Sequence, residues 1–229
     1  MDHEQRERIR RAYDQTVLDF EAGRDPLAAV PIEFRGSPEL QALLRECAGG
    51  CTGAGAQEIR DYLRPQPGMR LLDLGCCANL YNYRIDRWGP LYHGVDISPA
   101  LIAAMRAFSA RERIDVGALE VAEIVDLPFP PDYFDAALLI GVLEYVGLDY
   151  CCEALSELHR VLKIGARAVL DIPNLNHPLT ATMFKLEHCL GRPNIPNDNA
   201  AFDALVRQQF EVTAADRAGV MLKYYLTKA

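Results

Sequence analysis

The 229-residue sequence has no apolar run approaching the roughly 20 residues that a membrane-spanning helix needs. Its opening residues, MDHEQRERIRRAYD, lack the apolar core of a signal peptide. The expected location is therefore the cytoplasm, with no membrane partner. A basic cluster is missing too. Twenty-four Lys and Arg stand against 32 Asp and Glu, a net charge of −8, and the run RERIRR at 6–11 is interrupted by Glu7, as on a solvated helix face. Phosphate backbones need concentrated positive charge, so no nucleic-acid partner is expected. An even set of cysteines is absent as well. The seven are Cys47, Cys51, Cys76, Cys77, Cys151, Cys152 and Cys189. An odd count without a secretory signal speaks against a disulfide framework. Cys47 and Cys51 have a spacing compatible with metal or redox chemistry, but no second Cys/His pair accompanies them, so no metal centre is expected.

What is present is ordered along the chain. Residues 3–24 carry Ile9, Ala12, Tyr13, Thr16, Val17 and Phe20 at helical steps. Further helices are expected at 38–47, with Pro38 in the first turn, and at 55–64, separated by a flexible turn, GGCTGAG, at 49–55. After PQPG at 65–68 the pattern changes to strands alternating with helices. Strands are expected at 69–76, 91–97, 118–124, 134–143 and 166–172, and a terminal hairpin at 210–216 and 220–227. Ser98 and Pro99 read as the N-cap and first position of one connecting helix. Residues 149–163 form another, and 179–190 and 200–209 are helical around a polar insert. This pattern predicts an α/β fold, Rossmann-like, with a mostly parallel seven-stranded sheet and one antiparallel strand. It divides into a helical cap at 1–54 and a sheet domain at 55–229 with an insert at about 174–200.

In open α/β sheets ligands bind at the carboxyl ends of the strands. Those ends carry Asp73, Gly75, Cys77 and Asn79, then Asp96, then Glu123 and Ile124, then Ile140, Gly141, Glu144 and Tyr145, then Asn174 and His177. An acid about 20 residues beyond a tight strand–helix turn suits a ribose diol, and Asp96 follows Gly75 at that spacing. Alone, Asp73 could be a turn residue and Asp96 an acid complementing a helix dipole.

Four segments, LLDLGC, HGVDIS, LPFPPDYFDAALLIGVLEYV and LSELHRVLKIGARAVLDIPN, closely resemble class I S-adenosylmethionine-dependent methyltransferases, in the right order from about residue 55 onwards. The stretch AYDQTVLDF resembles the helix that covers the cofactor in many small-molecule members. The resemblance implies S-adenosylmethionine as cofactor. It puts Gly75 under the methionine part, Asp73 at its amino group, Asp96 at the ribose, and Ile97 against the adenine. Glu123 and the backbone of Ile124 would read the adenine edge. Ile140 and Gly141 would line the reactive methyl, with Tyr13, Glu144 and Tyr145 on the acceptor side. His177 is the expected general base where one is needed, because imidazole titrates near neutrality.

The departure lies in the turn. The family pattern, acid-x-Gly-x-Gly-x-Gly, has Cys77 and Asn79 in place of its second and third glycines. Asn tolerates left-handed backbone, so Asn79 is a mild loss, whereas Cys77 adds a β-carbon and a thiol where space is short. Cys76 and Cys77 read as packing residues, although a helix N-terminus at Cys77 favours thiolate. The function that follows is in-line methyl transfer to a small organic acceptor, under a lid made of 1–35 and 174–200. A homodimer is allowed by nothing more specific than the fold. Two alternatives remain: a non-catalytic cofactor-binding protein on the same fold, and another alkyl transfer with a related cofactor.

Overall fold

A computed structural model describes residue 1, residues 3–51 and residues 54–229, the side chains of 48–56 excepted. Seven strands form one sheet in the order β3-β2-β1-β4-β5-β7-β6. The strands are β1 (Arg70–Leu74), β2 (Leu91–Asp96), β3 (Val116–Val121), β4 (Phe134–Leu139), β5 (Leu162–Pro173), β6 (Glu211–Asp216) and β7 (Met221–Thr227). Strands β1 to β5 pair in parallel, while β7 runs antiparallel to both β5 and β6. This is the Rossmann-like sheet expected, with β7 as the reversed strand. Strand order turns back on itself between β1 and β4, which opens a crevice at their carboxyl ends.

The central strands are apolar on both faces because both are covered. Leu71 faces a core with Ile102, Phe108 and Val169, and its neighbour Leu72 faces one with Leu155, Leu158 and Phe202. Burying such side chains contributes roughly 1.5–3 kcal/mol each, so the sheet centre is rigid and its ends are held in place. Helix α6 (Pro99–Glu112) starts as its sequence dictates: Ser98 Oγ accepts from the Leu101 amide at 3.1 Å and Pro99 occupies the first turn. Helix α7 (Leu148–Val161) buries Leu155, Leu158 and Val161 against the sheet.

The N-terminal helices are α1 (His3–Glu21), α2 (Ile32–Arg35), α3 (Pro38–Cys51) and α4 (Ala54–Leu63). Helix α3 runs further than the 38–47 expected, so residues 49–51 of the predicted turn are helical, as are 54 and 55 in α4, and residues 52 and 53 lie outside the described ones. The stripe on α1 is only partly buried. Ile9 is enclosed, but Phe20 stays 76% exposed. Four contacts hold α1 over the strand ends. Gln5 donates to the Tyr145 carbonyl at 2.7 Å, Arg6 pairs with Glu123, Tyr13 Oη lies 3.1 Å from Tyr145 Oη, and Ser98 Oγ donates to Asp14 at 2.5 Å. The short helix α5 (Asn79–Tyr83) lies between β1 and β2, and α8 (Thr180–Cys189) and α9 (Asn199–Gln209) lie between β5 and β6.

Candidate active site at the sheet switch point

The turn after β1 is shaped by close packing. Gly75 has φ 64°, and a β-carbon there would lie 2.3 Å from Val142 Cγ2, so only glycine fits. Cys76 is fully buried, and its Sγ would lie 2.9 Å from a β-carbon on Gly94, so it fills the space that this glycine of β2 leaves. Cys77 holds φ at 40°, the left-handed region that glycine occupies at little cost. Asn79 does not share that conformation: it opens helix α5, and its Nδ2 donates to Asp73 Oδ1 at 3.2 Å. The expectation that Asn79 is there for left-handed backbone is therefore corrected; it is there as a hydrogen-bond donor.

A cavity of about 250 Å³ sits above this turn, beneath α1. Tyr13, Gly75, Cys77, Asn79, Asp96, Ile97, Ile124, Ile140, Gly141 and Tyr145 all line it, along with Asn82, Tyr83 and Val142. At one end Asp96 projects its carboxylate. Oδ2 accepts from the Cys77 amide and Oδ1 from the Ser98 amide, both at 2.9 Å, which leaves lone pairs on each oxygen for a diol. Ile97 and Ile124 offer flat aliphatic surface beside it. At the other end stand Gly141, Tyr13 and Tyr145. A β-carbon on Gly141 would meet only Glu144 Oε1, at 3.8 Å, so the wall is open there.

Other predicted residues fall outside the lining. Asp73 is fully buried below it, accepting from Tyr92 Oη at 2.8 Å, and reaches the cavity only through Asn79. Burial pushes its carboxyl up to about 7, against the two hydrogen bonds that lower it. Glu123 is taken up by Arg6 of α1 and by Tyr150 Oη at 3.3 Å, so its side chain is turned from the cavity while Ile124 enters it. His177 is a correction. Asn174 Nδ2 donates to the Arg217 and Gly219 carbonyls, each at 3.1 Å, and folds the loop back on the β6–β7 turn. His177 then faces Glu46 of α3, Nε2 to Oε2 3.8 Å, and lines a separate small cavity. It is not placed to act as a base at the strand ends.

The thiolate reading of Cys77 fails on electrostatics. Burial pushes its thiol up to about 12, and Asp96 adds to the rise. Glu144 is buried at 7% exposure, and burial together with the nearby Asp171 carboxylate holds it well above the usual carboxylate range. Asp171 itself is pushed up to about 6 by burial while it accepts from the Gly141 amide at 2.8 Å. Tyr13 is raised by burial, so its phenol stays protonated.

Sequence reasoning missed a group beyond Tyr145. Glu187 of α8 accepts from Tyr145 Oη at 2.9 Å, and Arg192 lies 4.7 Å over the Tyr13 ring and 2.9 Å from Glu187. An acid and a base five residues apart in a polar insert carry no marking of their own.

In doubly wound sheets a crevice at the switch point, with an acid at the end of the neighbouring strand as Asp96 is here, is where nucleotide-type ligands are commonly held. Residues 72–170 match the methyltransferase domain family model. A ubiquinone biosynthesis O-methyltransferase of Methylocella silvestris is 31% identical over 126 residues, 48% of this chain and 49% of the relative. A demethylmenaquinone methyltransferase of Tropheryma whipplei is 29% identical over 164 residues, 68% of this chain and 65% of the relative. The chain thus spans about half to two thirds of the length of these relatives. Among solved structures, geranyl diphosphate C-methyltransferase from Streptomyces coelicolor A3(2) shares the fold with TM-score 0.68 and 18% identity, over 98% of both chains. Over residues 72–170 the chain thus resembles the methyltransferase domain family, and it shares its fold with solved methyltransferases such as the magnesium protoporphyrin IX methyltransferase of Synechocystis PCC 6803 with bound S-adenosylmethionine, TM-score 0.68 and 12% identity, over 100% of this chain and 98% of that one. Among the described residues no helix is long and apolar enough to cross a membrane.

Proposed function

We propose that this protein transfers a methyl group from S-adenosylmethionine to a small organic acceptor. The reading rests chiefly on the cavity, which offers Asp96, Ile97 and Ile124 at one end and Gly141, Tyr13 and Tyr145 at the other. Asp96 would hold the ribose and the two isoleucines would flank the adenine. The methionine part would cross Gly75 and Cys77, its amino group facing Asn79 and, behind it, Asp73. The cofactor supplies an electrophilic methyl, so the protein's task is alignment and exclusion of water. Helix α1 closes the cavity from above, and Tyr13 and Tyr145 bound the space for the acceptor. Residues 1–35 and 174–200 act as the lid over a sheet domain beginning near 55.

Among the described residues no imidazole lines the cavity, and burial beside the Asp171 carboxylate holds the Glu144 carboxyl well above the usual carboxylate range. Acceptors that lose their proton readily therefore fit best. The two relatives, a ubiquinone biosynthesis O-methyltransferase and a demethylmenaquinone methyltransferase, support a planar ring acceptor of that kind. The free thiols at Cys76, Cys77, Cys151, Cys152 and Cys189 support work in a reducing cytoplasm.

Titration calorimetry with S-adenosylmethionine and S-adenosylhomocysteine is the test. Binding of both is expected, and no binding of either at millimolar concentration sinks the proposal. The left-handed Cys77 in the lining keeps a binding-only protein as a second reading. Methylated product from a panel of ring acceptors separates the two.

A further inference from the structure

Buried polar atoms nearly always have hydrogen-bond partners, because leaving one without costs about 1–3 kcal/mol. Among the described residues five side-chain atoms break this rule: Glu144 Oε2, Arg192 Nε, Asn194 Nδ2, Asn194 Oδ1 and Tyr224 Oη. Four of the five belong to one place. The strap at 192–197 lies across the turn after β4: the Ile195 amide donates to the Glu144 carbonyl at 2.7 Å, and Asn197 Nδ2 donates to the Val146 carbonyl at 2.7 Å. Arg192 is 2.9 Å from Glu187 without hydrogen-bond alignment at Nε. Glu144 Oε1 stands behind Gly141 and Arg192 lies 4.7 Å over the Tyr13 ring, Gly141 and Tyr13 both lining the cavity. Asn194 follows in the strap that the Ile195 amide fastens to the Glu144 carbonyl, so the three side chains form a layer directly behind the cavity wall.

Resting on the methyltransferase reading above, we propose that Glu144, Arg192 and Asn194 form the polar half of the acceptor subsite, and that they select an uncharged hydroxyl group on a planar ring. The set offers both donors and acceptors, which a hydroxyl can use together, whereas a bare carbonyl only accepts and an ammonium only donates. Charge argues the same way. The carboxylates of Asp171 and Glu187, which raise Glu144, disfavour an anionic head group, and Arg192 disfavours a cationic one. The Tyr13 and Tyr145 rings, 6.2 Å apart and nearly perpendicular, give a flat acceptor an edge and a face to lie against. The acceptor hydroxyl supplies up to three of the hydrogen bonds that the free protein leaves open, which makes the group a stability cost retained for binding.

The test uses four probes of one shape: 2-naphthol, 2-methoxynaphthalene, 2-naphthoate and 2-naphthylmethylammonium. Each is titrated by calorimetry into the full chain with and without saturating S-adenosylhomocysteine. The expected result is 2-naphthol binding at least tenfold tighter than the other three. Asn194→Leu should lose most of that preference, keep its S-adenosylhomocysteine affinity, and melt at a higher temperature than the parent. Glu144→Gln, which keeps the shape, serves where the leucine variant fails to fold, and should weaken 2-naphthol several-fold. Equal binding of the four probes, or no binding of 2-naphthol, overturns the proposal. So does an Asn194→Leu variant that is less stable yet binds 2-naphthol unchanged. If S-adenosylhomocysteine does not bind the parent, the methyltransferase reading falls separately, and the titrations without it still decide whether the hydroxyl subsite exists.

Discussion

The Cys77 amide donates to Asp96 Oδ2 at 2.9 Å, so the altered turn and the acid at the end of β2 are one unit. That bond requires the backbone at Cys77 to turn left-handed, with φ 40°. A non-glycine residue there costs about 1–2 kcal/mol, while glycine costs about 0.5–1 kcal/mol in the unfolded chain. Cys77→Gly is thus expected to be neutral to slightly stabilising and to bind S-adenosylhomocysteine as well as the parent or up to about fivefold tighter, some 1 kcal/mol. Calorimetry and thermal melting together check it. A clear loss of affinity would mean that the thiol is part of the cofactor contact.

Asn79→Gly goes the other way, although the family pattern has glycine at both positions. Glycine opening α5 removes the donor to Asp73 and loosens a five-residue helix. A loss of about 1–2 kcal/mol in urea unfolding is expected, from the hydrogen bond and the backbone together. Unchanged stability would show that the Asn79–Asp73 contact is incidental.

The contrast between these two residues shows what the sequence could disclose. Strand positions were legible because paired apolar residues such as Leu71 and Leu72 admit few other readings, and the start of α6 because Ser98-Pro99 is a local signal. Asp96, Ile97, Ile124, Ile140 and Gly141 share a cavity wall because each sits at the end of a strand, a placement that strand positions alone make legible. His177 was misread because its direction is set by Asn174 bonding to carbonyls 43 and 45 residues away. Glu187 and Arg192 gained a role only through Tyr145 and Tyr13, contacts no local pattern encodes.

Asp96 carries the ribose end of the proposal. Both its oxygens already hold backbone amides, and Asn keeps the size but can accept on one atom only. Hydrogen bonds to a charged group contribute about 1.5–3 kcal/mol, so Asp96→Asn should weaken S-adenosylhomocysteine by roughly 10- to 150-fold. Adenine and methionine alone should bind the variant and parent alike. If the nucleoside-bearing ligand is unaffected, Asp96 is only a cap for the two turns.

Asp73 makes the free protein sensitive to pH. Its carboxyl is raised to about 7 by burial, against about 3.9 in an unfolded chain. A raised acid binds its proton more tightly when folded, so its stabilising contribution is full below about pH 4 and is lost as pH rises towards 7. Asp171, raised to about 6, adds in the same direction. Between pH 5 and 7 the Asp73 effect alone is about 2–3 kcal/mol. Urea unfolding of Asp73→Asn should show a weaker fall over that interval than the parent. Parallel curves would place the titration elsewhere.

The chain from Tyr13 through Tyr145 to Glu187 joins the cap helix, the turn after β4 and the insert in one line of hydrogen bonds, 3.1 Å and 2.9 Å long. The two variants that cut it are not equivalent. Tyr13→Phe removes the outer link and leaves Tyr145 bonded to Glu187. Tyr145→Phe removes both links at once, leaving the Tyr13 hydroxyl without its partner and Glu187 with Arg192 alone among the contacts described. The loss should be about 1 kcal/mol for Tyr13→Phe and about 2–3 kcal/mol for Tyr145→Phe, which for a domain of this size is roughly 2–4 °C per kcal/mol in melting temperature. Because α1 covers the cavity, Tyr145→Phe should also speed amide hydrogen exchange around Ile9 and Tyr13 more than in the β-strands. Equal exchange in both variants, or loosening spread evenly over the sheet, would mean that the three side chains pack the wall and do not tie the lid.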